Sequence, residues 1–264
     1  MSSRRTGPLL LLLLLTLAAA WPSAPARAGQ TADNDPAAAL AAARDCGLPA
    51  ATQDRLLAAG LEGRLAQADI LAVLETFTRA CGQGLPTRPL ADKLDEGLAK
   101  RVPGPRLVAA LAGLTGDLAW CRDLLVRLRR APDAAPAPGD VTRLAQSLAA
   151  GLDRPTLEDF LTQAPAAPPA MLARAGAVLA LMRQAGFDPE RCHALLDAGL
   201  ARGSLGPGWE RLSAVALLAR QRGLADDAVL DAARNALEQG HTLRRLMEDL
   251  GFTPRDVERG GARP

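Results

Sequence analysis

Cys192 and His193 are the one adjacent pair of soft metal ligands in the 264-residue chain, and His241 is the only other histidine. A zinc site needs about four ligands at short, recurring spacings. No second pair lies near enough in sequence to complete one, so His193 reads as an ordinary helix-surface histidine. No Cys-x-x-Cys pair suits dithiol chemistry. The chain has no Gly-x-Ser-x-Gly elbow, no His-Glu-x-x-His and no P-loop. It has no tyrosine, which leaves few groups for general acid–base work. The carboxylates Glu158, Asp159, Asp226, Asp227 and Asp231 are numerous, but acids near helix starts are accounted for by the helix dipole. The chemistry therefore points away from an enzyme: no catalytic residue, no cofactor and no metal site is expected. A cell-envelope hydrolase working through carboxylates is the enzymatic alternative.

The four cysteines, Cys46, Cys81, Cys121 and Cys192, are an even set. In an exported protein such a set signals disulfides, and four thiols allow three pairings. Helical spacing favours one of them. A helix over about 52–61 and another over about 67–81 form an antiparallel hairpin turning near Glu62 to Arg64. Cys46 and Cys81 then lie at its open end. Cys121 and Cys192 remain as a second pair that would tie the two halves of the chain. The competing reading is free, buried cysteines behaving as small apolar side chains. Leu118 and Leu125 flank Cys121 on one helical face, which keeps that reading open.

Export is read from the N-terminus. Arg4 and Arg5 precede the unbroken leucine run Leu9 to Leu15, and Ala26-Arg27-Ala28 has the small-x-small pattern of a signal-peptidase site. Cleavage between Ala28 and Gly29 is expected, which makes residues 1–28 a signal peptide. The apolar run ends at Trp21 and falls short of the roughly 20 residues a bilayer demands. Together these place the remainder in the bacterial periplasm or outside the cell.

Removing the leader changes the charge balance. Of 31 Lys+Arg and 29 Asp+Glu, Arg4, Arg5 and Arg27 leave with it and no acid does, so the remainder carries a net charge of −1. A nucleic-acid partner is not expected, because such proteins carry a basic excess that displaces phosphate counterions.

The elements that must position these residues are helices. Apolar residues recur at helical spacing, as in Ile70, Leu71, Val73, Leu74 and Phe77, and again in Leu212, Val215, Leu217 and Leu218. No β-branched stretch alternates with period two, so the fold class is all-α. Asp35-Pro36, Asp188-Pro189 and Thr253-Pro254 read as helix starts, and Gly82, Gly186 and Gly223 as stops. A loose internal repeat runs through Ala59-Gly60-Leu61, Glu96-Gly97-Leu98, Ala150-Gly151-Leu152 and Ala198-Gly199-Leu200, with Asn235-Ala236-Leu237 as a fifth copy. Gly84, Gly186 and Gly223 each precede a repeat centre by 13 residues, and Ile70, Leu107 and Trp209 each follow one by 10. Glycine inside a helix costs about 1 kcal/mol against alanine, so its recurrence implies close helix contact.

Antiparallel hairpins of this kind bury their apolar faces by stacking, giving an irregular helical repeat array or bundle. Pro-rich segments at 131–139 and 164–170 suggest N-terminal helical repeats over 29–130, a linker over 131–139, C-terminal helical repeats over 140–258 and a disordered tail over 259–264. One continuous array is the alternative. The segment Glu96 to Pro103, followed by Arg106-Leu107-Val108, resembles a recurring segment of uncharacterised secreted bacterial helical-repeat proteins. That resemblance implies a fold and no activity.

A stacked array without catalytic groups suggests a scaffold or interaction module for a protein partner in the envelope. A peripheral membrane protein is the other alternative. The stretch Asp117 to Arg130 is basic and amphipathic with Trp120 near its start, but a solvated arginine face over a leucine core is the preferred reading of it. Trp209 occupies a core-like position.

Overall fold

The computed structural model describes residues 35–128, 135–164, 167–253 and 255–256. The leader with its cleavage point at Ala28 and Gly29, residues 131–134 of the proposed linker, and the tail at 259–264 lie outside the described residues. Among the described residues the chain is an all-α helical array without strands. Its elements are α1 (Pro36–Asp45), α2 (Ala50–Leu61), α3 (Gln67–Gly82), α4 (Arg88–Ala99), α5 (Gly104–Leu128) and α6 (Pro138–Ala149). These are followed by α7 (Arg154–Thr162), α8 (Pro169–Gln184), α9 (Pro189–Arg202), a 3-10 turn (Trp209–Arg211), α10 (Leu212–Gln221), α11 (Asp226–Glu238) and α12 (Leu243–Asp249).

The hairpin expected over 52–81 is present as α2 and α3, and Pro36 and Pro189 open α1 and α9. Asp188 caps α9 by accepting the Arg191 N–H at 2.8 Å. The basic stretch from Asp117 is not a separate helix. Asp117 lies inside α5, which runs unbroken through Gly113 and Gly116 because its buried face of Leu107, Leu111, Leu118, Leu124 and Leu125 is continuous across them. Tertiary burial of that face outweighs two unfavourable glycines, at about 1.5–3 kcal/mol for each buried leucine against about 1 kcal/mol for each glycine.

From Pro36 onward the described residues belong to one compact unit. Helices pack on their next-but-one neighbours: α1 on α3, α3 on α5, α2 on α4, α6 on α8, α8 on α10 and α9 on α11. A single core of leucine, alanine and valine runs through all of them, with Phe77, Phe160 and Trp209 as its largest fully buried side chains. α5 also packs on α6 and α8, on the far side of the Pro-rich segment. Helix already begins inside that segment, since Pro138 and Gly139 form the first turn of α6. Charged groups reinforce the stacking where they are half-buried. Arg174 of α8 donates to Glu210 at 2.9 Å and to the Leu205 carbonyl at 2.6 Å. Burial penalises the Glu210 charge, but hydrogen bonds from Arg174 and the Gly208 N–H outweigh it and hold this carboxyl below its ordinary range.

One terminator recurs along the chain. The N–H groups of Leu48, Leu85, Val102, Leu152, Phe187 and Phe252 donate back to the carbonyls of Ala43, Ala80, Gly97, Ser147, Met182 and Met247. In each case the residue just before the donor has positive φ. This is the Schellman motif, with an apolar residue after the left-handed position returning to the core. Gly84, Gly186 and Gly223 take that left-handed position. Gly82 does not; it closes α3 two residues earlier. Gly151 also departs from the sequence reading. It is left-handed itself, and buried Ser147 occupies the place that Gly97 has in α4.

Within α2 and α4 the glycines do allow close approach. A Cβ at Gly60 would overlap Ile70 Cδ1, and one at Gly97 would overlap Leu107 Cδ1, which are the two partners ten residues on. Gly199 instead faces Leu237 and Leu205. The left-handed position after α4 is filled by Arg101, with φ of 53°, the one non-glycine there among the described residues. Arg101→Gly is therefore expected to stabilise the protein by about 0.5–1 kcal/mol, since a side chain in this conformation costs roughly 1–2 kcal/mol and glycine returns part of that as unfolded-state entropy. A urea titration reads the change as a shift in midpoint at constant slope.

Candidate functional site

The structure joins Cys46 to Cys81, with Cα atoms 5.6 Å apart. Cys46 sits in the turn after α1 and Cys81 in the last turn of α3, so the bridge fastens α1 to the α2–α3 hairpin. Thr87 strengthens the same corner by donating its hydroxyl to the Cys46 carbonyl at 3.0 Å.

The second expected pair is not formed: Cys121 and Cys192 are free and buried. The reason lies in the packing. Cys121 faces the leucine side of α5, which packs on α3, α4, α6, α7 and α8, whereas α9, carrying Cys192, packs on α8 and α11. Burial pushes the Cys121 thiol up to about 12, with Asp117 adding to it, and pushes Cys192 up to about 11. Neither is a nucleophile at neutral pH. Without reductant, the native protein is expected to take up no iodoacetamide at pH 8, and the denatured protein two equivalents. No uptake after denaturation would restore the Cys121–Cys192 bridge.

His193 is not the plain surface histidine its sequence context suggests. It is half-buried and stacks on Phe160 of α7 at 5.1 Å, and its Nε2 is buried without a hydrogen-bond partner. The neighbouring Cys192 thiol is buried in the core, and no group of three or more His, Cys, Asp or Glu side chains able to hold a metal is found among the described residues. Four of the surface carboxylates weighed above are engaged with arginines. Asp226 pairs with Arg220, Asp227 and Asp231 with Arg191, and Glu158 with Arg127.

Several concavities lie between the described helices. One, about 760 Å³, is an apolar groove between α4, α5 and α6. Pro86, Pro89, Ala110, Leu114, Pro138 and Ala149 give it its apolar surface. Its acids are already paired: Asp92 with Arg88, Asp117 with Arg154, and Glu96 with both Lys93 and Lys100. Hydrogen bonds from Lys100 and Lys93 hold Glu96 down at about 2. Each charge on the rim is thus paired within the protein.

A second, about 600 Å³, lies between the end of α7, the start of α8 and the end of α9, with Asp197 and Arg202 among its walls; the same two residues also line a third, about 630 Å³, facing α11. Burial raises the Asp197 carboxyl above its ordinary range, opposed by the charge of His193 one helical turn away. Across α9, Glu238 lines the adjoining surface but is tied to Arg234 at 2.8 Å, so it does not form a two-carboxyl centre with Asp197. Trp120, considered for a membrane surface, is half-buried with the Arg154 guanidinium 5.5 Å over its ring. No described helix is long and apolar enough to cross a membrane.

Comparison with protein-family models, with curated proteins and with solved structures finds no match.

Proposed function

We propose that this chain is an exported, non-catalytic interaction module of the bacterial envelope, and that the groove between α4, α5 and α6 receives an apolar segment of a protein partner. The groove carries this reading, because an apolar concavity ringed by internally neutralised charges offers burial without asking a partner for specific ions. Stacked helical hairpins supply extended surfaces of this kind, and few of the residues lining the groove belong to the core they rest on. Export is supported by the N-terminal leader pattern and by the Cys46–Cys81 bridge, since disulfides persist in oxidising compartments.

Ala110 is exposed on α5 and lines the groove. Ala110→Arg would place a charge in the apolar surface while keeping a strong helix former. The expected result is loss of the partner from crosslinked envelope complexes with an unchanged melting curve. Retention of the same complexes by Ala110→Arg would refute the groove as the binding surface.

A further inference from the structure

The cleft beside α9 carries a separate assignment. We infer that it binds a small alkylammonium ligand, with the ammonium on Asp197 and the alkyl chain against Met171, Leu200, Ala167 and Pro168.

Three observations converge on this. Asp197 is half-buried on a cleft wall and has no hydrogen-bond or ion-pair partner among the described residues. Its oxygens are not enclosed, so a ligand can reach them, and partial burial strengthens their attraction to a cation seated beside them. The ends of α7 and α9 both reach this cleft, through Gln163 and Ala164 and through Leu200 to Gly203. Helix C-termini carry partial negative charge and favour cations. Apart from Gln163 and Arg202 the rest of the wall is short and apolar and suits a linear chain of a few carbons.

The neighbouring cations do not neutralise Asp197. Arg234 is held by Glu238, and Arg202, which shares the cleft wall, is exposed in the last turn of α9 and makes no ion pair with Asp197. His193 stacks beneath, against Phe160, with its Nε2 enclosed. Asp197 is thus the acceptor in this cleft left for a ligand.

The test is a titration of the full processed chain with n-pentylammonium, n-pentanol and pentanoate at neutral pH, followed by amide chemical shifts. The expected result is saturable movement of Asp197, Leu200 and Ala201 with n-pentylammonium at millimolar concentrations, and little with the other two. Asp197→Asn removes a charge without removing a core contact, and should weaken n-pentylammonium binding at least tenfold, as loss of a charge-assisted hydrogen bond does. Arg202→Gln should leave that binding unchanged or tighten it. Equal binding by Asp197→Asn, tighter binding of pentanoate, or no saturable shift would overturn the assignment. Tighter binding of acetyl-Ala-Lys-Ala-amide than of n-pentylammonium would overturn the small-molecule part, placing a lysine side chain there instead.

Discussion

Trp209→Ala is expected to cost about 3–5 kcal/mol, the range for truncating a fully buried aromatic. Trp209 is 1% exposed in the 3-10 turn between α9 and α10, and that turn packs on both α8 and α10. The cavity would open where α8 meets the C-terminal helices. Its neighbours there, α8 and α10, are parts of larger packed pairs and have little freedom to close it. For a unit of this size the loss corresponds to a fall in melting temperature of roughly 10 °C. Trp209→Phe, which retains most of the volume, should fall by less than half as much. A melting temperature unchanged in Trp209→Ala would mean that the side chain is not in the core.

Removing the bridge by Cys46→Ser with Cys81→Ser is the second large effect. The two residues are 35 apart in sequence, a loop length for which the chain-entropy model gives about 3–4 kcal/mol. The damage should be local as well as global. α1 is ten residues long and buries only Ala43 fully, so it has neither the length nor the apolar face to hold itself in place. Amide exchange in α1 is expected to rise toward that of an unstructured peptide in the double variant, while the buried leucine face of α5 keeps its protection. Uniform loss of protection across α1 and α5 would show instead that the bridge holds the whole array together.

Much of this architecture was legible in the residues. Leucine and alanine at helical spacing, without any β-branched alternation, fixed the class, and the turn at Glu62 to Arg64 aligned Cys46 with Cys81. Local signals carried that far because hairpin geometry is set within some 40 residues of chain. The offset of ten from Gly60 to Ile70 and from Gly97 to Leu107 also had a direct physical meaning, a side chain crossing a glycine. The same logic failed at Gly151. An Ala-Gly-Leu triplet serves equally as a helix-to-helix contact or as a left-handed cap, and only the backbone distinguishes them. Cys121 and Cys192 were paired by elimination, but elimination says nothing about which helices are neighbours.

The two concavities were the least legible features. The groove requires Pro86 from the turn before α4, Leu114 from α5 and Pro138 from α6 to converge, and no motif marks any of them. The Asp197 cleft had one usable signal, the i, i+4 spacing of His193 and Asp197, which places an imidazole and a carboxyl on one helical face. The partial burial of His193 involves Phe160, more than 30 residues upstream, and could not be read from α9 alone.

The groove between α4, α5 and α6 is open to one direct measurement. An added Cβ at Gly113 would meet nothing within 4 Å, so a photoreactive benzoylphenylalanine can be placed there without disturbing the fold. Gln239, exposed beyond α11, provides the control position. Irradiation of intact cells should give a discrete protein adduct from position 113 and none of the same mass from position 239. No adduct from position 113, or the same adducts from both positions, would contradict a partner seated in the groove.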